Sequence, residues 1–244
     1  MASWLKDQGT RIAGVVIHPH DRRLFAEEIV KSTSLGPEAV LDGSRLREPE
    51  TLSRLRGLQA ELGVCVSFGY LLPQSVLELF PSGCINLHTG YLPYNRGAYP
   101  NVWSIVDATP AGVTLHYVDD GVDTGDIIAR REIAVEPVDT GKSLFEKLEA
   151  GALRLFQETW PLVASGRAPR TPQNPSEGSV HRVADAARID EIDLNRTYRA
   201  GDLIDVLRAR TFPPHAGAFF RAGGRRVFLN LDLSYGPAEE PEKV

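Results

Sequence analysis

Cysteine is scarce in this chain: Cys65 and Cys84 are the only two among 244 residues. Two thiols cannot build a disulfide scaffold or a cysteine zinc site, and the scattered histidines lack metal-ligand spacing, so no metal is expected. No apolar run approaches the ~20 residues of a membrane-spanning helix. An excess of positive charge is also missing. The 27 Lys and Arg face 32 Asp and Glu, for a net charge of −5, which speaks against a sequence-independent nucleic-acid binder. Residues 1–9 hold no basic segment followed by an apolar core, so no signal peptide is expected, and the expected location is the cytoplasm. What is present is ordinary for a folded chain. Hydrophobic residues make up 42% and charged residues 24%, close to the globular average, and a chain of this size buries most of its apolar surface without crosslinks. There are no internal repeats and no membrane partner is expected.

Strand and helix signals alternate. Residues 2–8 read as the end of a helix stopped by Gly9. Residues 11–17 (RIAGVVI) are a β-branched-rich strand ended by His18-Pro19, and Asp21 suits a cap for a helix to about Lys31. A small strand is expected at 39–41. Leu52, Leu55, Leu58 and Leu62 fall at helical spacing up to Gly63. Strands follow at 64–68 and 84–88, with a short helix at 73–79 between them. A loop rich in Gly, Pro and Tyr runs to about Tyr99, then a helix over 100–107, then strands at 111–117 and 127–133. This alternation argues for a three-layer α/β protein with a parallel sheet. Ser143 and Glu146 form a capping box at the head of a long helix whose apolar stripe is Leu144, Leu148, Ala152, Leu155, Phe156 and Val163. The expected organisation is a main domain over 1–165, a Gly/Pro/Ser/Arg-rich linker over 166–180, and a small C-terminal α+β unit over 181–235. That unit holds a helix at 200–208 and a hairpin around Gly223-Gly224. A frayed tail over 236–244 completes the chain.

Three segments carry chemistry. In Ile85-Asn86-Leu87-His88 the period of two puts Asn86 and His88 on one face. They lie at the C-terminal end of a strand, where open α/β sheets place ligands. An amide and an imidazole suit acyl transfer, the first stabilising an oxyanion and the second moving a proton. Two polar residues at a strand end are the plain alternative. The second segment, from Asp119 to Asp126, is an acidic, Gly-containing turn between strands. It lacks the EF-hand calcium pattern, which leaves an ordinary turn or a loop that aims one carboxylate into a cleft. The third, from Tyr91 to Trp103, gathers aromatics, Arg96 and two asparagines, residues suited to stacking on rings and holding phosphate; the alternative is a surface loop with one buried Trp. His18 and His20 read as an exposed loop pair, His116 as a satisfied structural residue, and Cys65 and Cys84 as buried strand cysteines.

Taken together, Asn86-Leu87-His88, Leu92-Pro93-Tyr94-Asn95-Arg96-Gly97, Gly112-Val113-Thr114 and Gly121-Val122-Asp123-Thr124-Gly125 resemble the 10-formyltetrahydrofolate-dependent formyltransferases. Four motifs in order over about 40 residues are specific. The segments 92–97 and 100–104, together with 208–215, are most similar to the nucleotide-sugar N-formyltransferases. The resemblance implies the Rossmann-like formyltransferase fold and 10-formyltetrahydrofolate as co-substrate. It implies catalytic roles for Asn86, His88 and Asp123. It points to folate contacts at Phe68, Gly69, Leu71, Leu72, Val118, Asp120 and Gly121, although core packing is an equal reading for Leu71 and Leu72. Contacts to a nucleotide amino sugar fall on Tyr94, Asn95, Arg96, Trp103 and His215. It allows a homodimer, a form common in that subgroup.

One departure stands out. Members of that family begin with a strand and turn before the helix that ends here at Gly9, whereas this chain starts inside that helix. The expectation is a start internal to a longer natural chain; the alternative is a sheet folded without its first strand. The competing activities are formylation of methionyl-tRNA, for which the chain is short, acidic and without a large basic C-terminal domain, and formylation of another small amine. A folate- or nucleotide-binding protein that has lost activity is the non-enzymatic alternative.

Overall fold

The computed structural model describes residues 1–19 and 25–237. In chain order its elements are α1 (Ala2–Asp7), β1 (Val15–Ile17), α2 (Ala26–Thr33), β2 (Val40–Asp42), α3 (Pro49–Gly57), β3 (Gly63–Val66), α4 (Gln74–Leu77), β4 (Cys84–His88), β5 (Arg96–Gly97), α5 (Pro100–Val106), β6 (Gly112–Tyr117), β7 (Ile127–Glu132), α6 (Gly141–Ala164), β8 (Val180–His181), α7 (Val183–Asp190), α8 (Ala200–Ala209), β9 (Phe219–Ala222) and β10 (Arg225–Phe228). His20 and Asp21 lie outside the described residues, as does the tail beyond residue 237; the described helix there begins at Ala26.

The chain forms two compact units whose segments alternate along the sequence. The first comprises Met1–His88, Thr114–Arg130 and Leu153–Pro175, and the second Thr89–Val113, Arg131–Ala152 and Ser176–Val244. In the first unit β1 pairs parallel with β2, and β3 pairs parallel with β4. The larger sheet has the order β3-β4-β6-β7, and β4 and β6 run antiparallel. The expected parallel pairing is present at β1–β2 and β3–β4, and β6 adds an antiparallel neighbour to β4. Strands β6 and β7 are joined by the short 118–126 loop, a connection that antiparallel strands permit. Leu41, Leu46, Leu55 and Val76 form a core cluster against which Val16, Leu52, Leu58, Phe68 and Leu72 pack. Ile85 and Leu115 are fully buried in the sheet, each contributing about 1.5–3 kcal/mol.

Several local expectations shift. Gly63 opens β3 and does not stop a helix; α3 has already ended at Gly57. The capping box of α6 sits three residues upstream of the expected one. Ser143 N–H donates to Thr140 Oγ1 (3.2 Å), and Thr140 N–H donates to Ser143 Oγ (3.0 Å), the reciprocal arrangement that satisfies two orphan donors. The stripe of α6 is buried at Leu144, Leu148, Ala152, Leu155 and Phe156.

The segment expected to be a linker is ordered at both ends. Thr171 exchanges backbone hydrogen bonds with Ile127 (2.8 and 3.0 Å) within the first unit. In the second unit β8 pairs parallel with β5. That second unit also contains α7, which the sequence pattern did not announce, and α5 packs against α8. Its hairpin β9–β10 turns through Gly223 (φ 54°) and Gly224 (φ 74°). Two positive φ values are what a tight hairpin turn demands, and glycine meets them without a steric cost. Tyr235, assigned above to the edge of the frayed tail, hydrogen-bonds through its hydroxyl to Glu136 (3.0 Å).

Asp139 anchors the start of α6 in the second unit. It is 3% exposed and accepts hydrogen bonds from Lys147 Nζ (2.7 Å), Ser143 Oγ (2.8 Å) and Glu136 N (2.7 Å). Burial alone would raise its carboxyl, but the Lys147 ammonium and the two further donors outweigh burial and hold it below the ordinary value of 3.8. A depressed folded value makes the stabilisation complete above the unfolded value, and it is lost as pH falls through the folded one. Asp139→Asn is expected to cost about 1–3 kcal/mol at neutral pH in urea unfolding. The difference from the parent chain should narrow as pH falls below 3.8.

Among the described residues no helix is long and apolar enough to cross a membrane.

Candidate active site

The first unit brings Asn86, His88 and Asp123 together. Strand β4 supplies the first two on one face, and the loop between β6 and β7 supplies the third. Asn86 Nδ2 donates to Asp123 Oδ1 at 3.2 Å. His88 Nδ1 stands 3.6 Å from Asp123 Oδ2. That is longer than a hydrogen bond, although catalytic contacts often tighten only once substrate is bound. His88 is 8% exposed. The carboxylate faces Nδ1 and favours the tautomer protonated there, which leaves Nε2, on the opposite edge of the ring, as the proton acceptor.

The loop that carries Asp123 is built to hold it. Asp119 Oδ1 accepts from Gly121 N (3.1 Å) and Thr124 Oγ1 (2.6 Å), so Asp119 serves the loop itself. Tyr117 N bonds Asp126 O (2.9 Å) and closes it. A Cβ at Gly125 would drive into the Tyr117 carbonyl, so this position demands glycine. Asp123 itself has φ 53°, a left-handed conformation that aspartate adopts more readily than most residues but at a cost of about 1–2 kcal/mol.

Sequence reasoning missed Gln173 and Arg170 here. Gln173, in the segment read as a linker, donates from Nε2 to the carbonyls of Asp123 and Gly125, each at 2.8 Å. Arg170 lies 3.5 Å over the Tyr117 ring and 3.7 Å from Asp126, so residues 170–173 strap the same loop. A long-range contact of a lone glutamine leaves no local signal. His116, expected as a satisfied structural residue, is hydrogen-bonded through Nδ1 to the Tyr117 carbonyl. It is 1% exposed, and its Nε2 lies 3.2 Å from Asn86 Nδ2 and 3.4 Å from Asp123 Oδ1. The antiparallel register, which sets His116 opposite Asn86, would have announced it.

The folate candidates divide. Val118 and Asp120, with Gln74, Leu77, Glu78 and Asp119, line an open groove of about 530 Å³, within the size range of small-molecule sites. Gly121 sits in the same loop. Phe68 stacks on His18 (5.4 Å between centroids), and Gly69 N–H donates to His18 Nε2 at 3.1 Å. His18 is thus half-buried and bonded, not an exposed loop residue. Leu72 packs against the core cluster, while Leu71 is 63% exposed.

The substrate candidates all belong to the second unit. Asn95 is fully buried. Its Nδ2 donates to Ser104 Oγ (3.0 Å) and Thr109 Oγ1 (2.8 Å), and its Oδ1 accepts from Ser179 Oγ (3.0 Å). With φ 57° and both amide atoms hydrogen-bonded inside the protein, Asn95 shapes the loop. Arg96 is buried as well, and its backbone pairs with β8. Tyr94 is half-buried and His215 exposed. Trp103 is buried and stacked on His181 (4.1 Å, 7° between planes). Its Nε1 is buried and has no hydrogen-bond partner among the described residues. His181 Nε2 stands 3.3 Å from Asp107, within ion-pair reach but off the line of a hydrogen bond.

The two cysteines behave as strand residues. Burial pushes the Cys65 thiol up to about 11. Burial, with Cys65 nearby, pushes Cys84 to about 12. Neither is a thiolate at neutral pH, so neither is a nucleophile.

An α/β unit that holds an amide, an imidazole and a carboxylate at the end of a sheet strand carries the groups that acid–base chemistry on a carbonyl requires. Residues 6–159 match the Formyl transferase family model, and residues 185–235 match the N-formyltransferase dimerization C-terminal domain. The chain belongs to the formyl transferase family. It is 36% identical over 206 residues to a methionyl-tRNA formyltransferase of Myxococcus xanthus, covering 84% of this chain and 64% of that protein. It is 37% identical over 162 residues to a dTDP-4-amino-4,6-dideoxyglucose formyltransferase of Mycobacterium tuberculosis, covering 66% of each. Among solved structures, a 4-N formyltransferase from Francisella tularensis superposes with a TM-score of 0.82 at 27% identity, covering 96% of this chain and 93% of the other. The chain spans about two thirds or less of the length of the two sequence relatives named here.

Proposed function

We propose that this protein transfers a formyl group from 10-formyltetrahydrofolate to the amine of a nucleotide-linked amino sugar. The observation that carries formyl transfer is the convergence of Asn86, His88 and Asp123 within 3.2–3.6 Å in one unit. The sugar acceptor is supported by the match to the Francisella 4-N formyltransferase over nearly the whole of both chains. The donor supplies a formyl carbon already bonded to nitrogen. The groove along Gln74, Leu77, Glu78, Val118 and Asp120 would hold it, with Phe68, Gly69, Leu71 and Gly121 on adjacent loops. Its mixture of apolar, amide and carboxylate lining suits an amphipathic ring system.

The neutral amine of the sugar attacks the formyl carbon. Asn86 lends an N–H to the oxygen on which charge develops. His88 takes the proton lost by the amine and passes one to the departing nitrogen, so the site ends as it began. Asp123 holds the ring of His88 and steadies the imidazolium. Tyr94, Arg96 and His215 are candidates to contact the nucleotide sugar, and Trp103 Nε1–H, without a hydrogen-bond partner among the described residues, is a donor that a ligand oxygen would satisfy. The match to a dimerization domain supports a homodimer.

Transfer to methionyl-tRNA is the second reading, carried by the relative from Myxococcus. Incubation with 10-formyltetrahydrofolate and a panel of nucleotide amino sugars, methionyl-tRNA and glycinamide ribonucleotide separates them. Formylated sugar is expected. Formylated tRNA with untouched sugars would overturn the sugar reading.

Gln173→Leu removes both hydrogen bonds from the Asp123 loop. A displacement on the order of 1 Å can cost about 10²-fold in rate. The expected result is a fall in kcat of about 10–10²-fold with little change in KM, measured by steady-state formyl transfer.

A further inference from the structure

Strands β4 and β6 are antiparallel, and their register sets Asn86 directly opposite His116. Side chains so placed share a face with Cβ atoms about 4.5–5.5 Å apart. His116 Nδ1 lies 2.7 Å from the Tyr117 carbonyl oxygen. A carbonyl only accepts, so Nδ1 carries the proton, and Nε2 of the neutral ring presents a lone pair. That lone pair faces Asn86 Nδ2 at 3.2 Å. The second hydrogen of the same amide nitrogen goes to Asp123 Oδ1, also at 3.2 Å. Two acceptors therefore meet one end of the Asn86 amide. Both select its nitrogen and exclude its oxygen.

We propose that His116 is a positioning residue that, in its neutral form, fixes the Asn86 amide with the nitrogen on the Asp123 side, ready to pass a hydrogen bond to the developing oxyanion. The inference rests on the reading of Asn86, His88 and Asp123 as the formyl-transfer centre. A neutral ring nitrogen is a modest acceptor, whereas hydrogen bonds to a charged oxygen are about twice as strong. His116 thus orients the amide in the resting site and yields its hydrogen as charge appears on the substrate.

Two variants and one spectrum test this. His116→Phe keeps the volume and removes the acceptor, while His116→Gln offers a non-titrating acceptor oxygen. The phenylalanine variant is expected to lose about tenfold in kcat, with KM for both substrates nearly unchanged. The glutamine variant should recover most of that loss. In the unaltered chain, ¹⁵N imidazole shifts should report neutral His116 protonated at Nδ1. A wild-type kcat in His116→Phe, or a proton on Nε2 of neutral His116, would overturn the proposal. The spectrum needs no variant to fold and no substrate to be known. If His88→Ala and Asn86→Ala also kept full transfer, the site reading itself would have failed. If they lost it while His116→Phe did not, only the role of His116 would fall.

Discussion

His88→Ala is expected to lower formyl transfer by about 10²–10⁴-fold, the usual contribution of a positioned general acid–base. Alanine leaves Asn86 and Asp123 in contact, since their 3.2 Å hydrogen bond does not pass through His88. It removes the one ring whose Nδ1 faces the carboxylate at 3.6 Å and whose Nε2 is turned to the opposite edge. Binding of both substrates should change little, so the loss belongs in kcat. Because His88 is only 8% exposed, the variant also opens a small cavity. A thermal melt within a few degrees of the parent chain would separate lost chemistry from lost folding.

Asp123→Asn should cost about 10²–10³-fold, the range for losing one aligned donor at a developing oxyanion. Two faults arise at once. The amide that replaces the carboxylate carries no charge to steady an imidazolium on His88. Its own N–H₂ can also meet the N–H₂ of Asn86, where the native pair is donor against acceptor at 3.2 Å. The two changes act on one unit, so the double variant His88→Ala/Asp123→Asn should be little worse than His88→Ala alone. Fully additive losses would mean that the carboxylate works independently of the ring.

The strand that carries Asn86 and His88 was legible to the residue. Cys84 to His88 is the observed β4, and the period of two puts Asn86 and His88 on the face where they meet Asp123. Chain-local patterns of that kind survive because strand alternation and glycine-turn signals depend on near neighbours. The hairpin at Gly223-Gly224 survives for the same reason. What depends on partners far along the chain did not. The mixed sheet follows from a pairing of β4 with β6 that no single segment encodes, and it hid His116. Gln173 contributes to the site from 50 residues away through two carbonyl contacts, in a stretch whose composition reads as linker. Asn95 matched a motif, yet its amide is consumed by Ser104, Thr109 and Ser179. A motif names the residue and leaves open whether it faces the ligand or the loop.

The most direct test follows a labelled formyl group. Incubate the chain with ¹³C-formyl-labelled 10-formyltetrahydrofolate and a nucleotide-linked amino sugar, and locate the label by NMR and mass spectrometry. The account predicts label on the sugar nitrogen with the unaltered chain and almost none with His88→Ala. Label on methionyl-tRNA but not on the sugar, or equal transfer by the two chains, would contradict it.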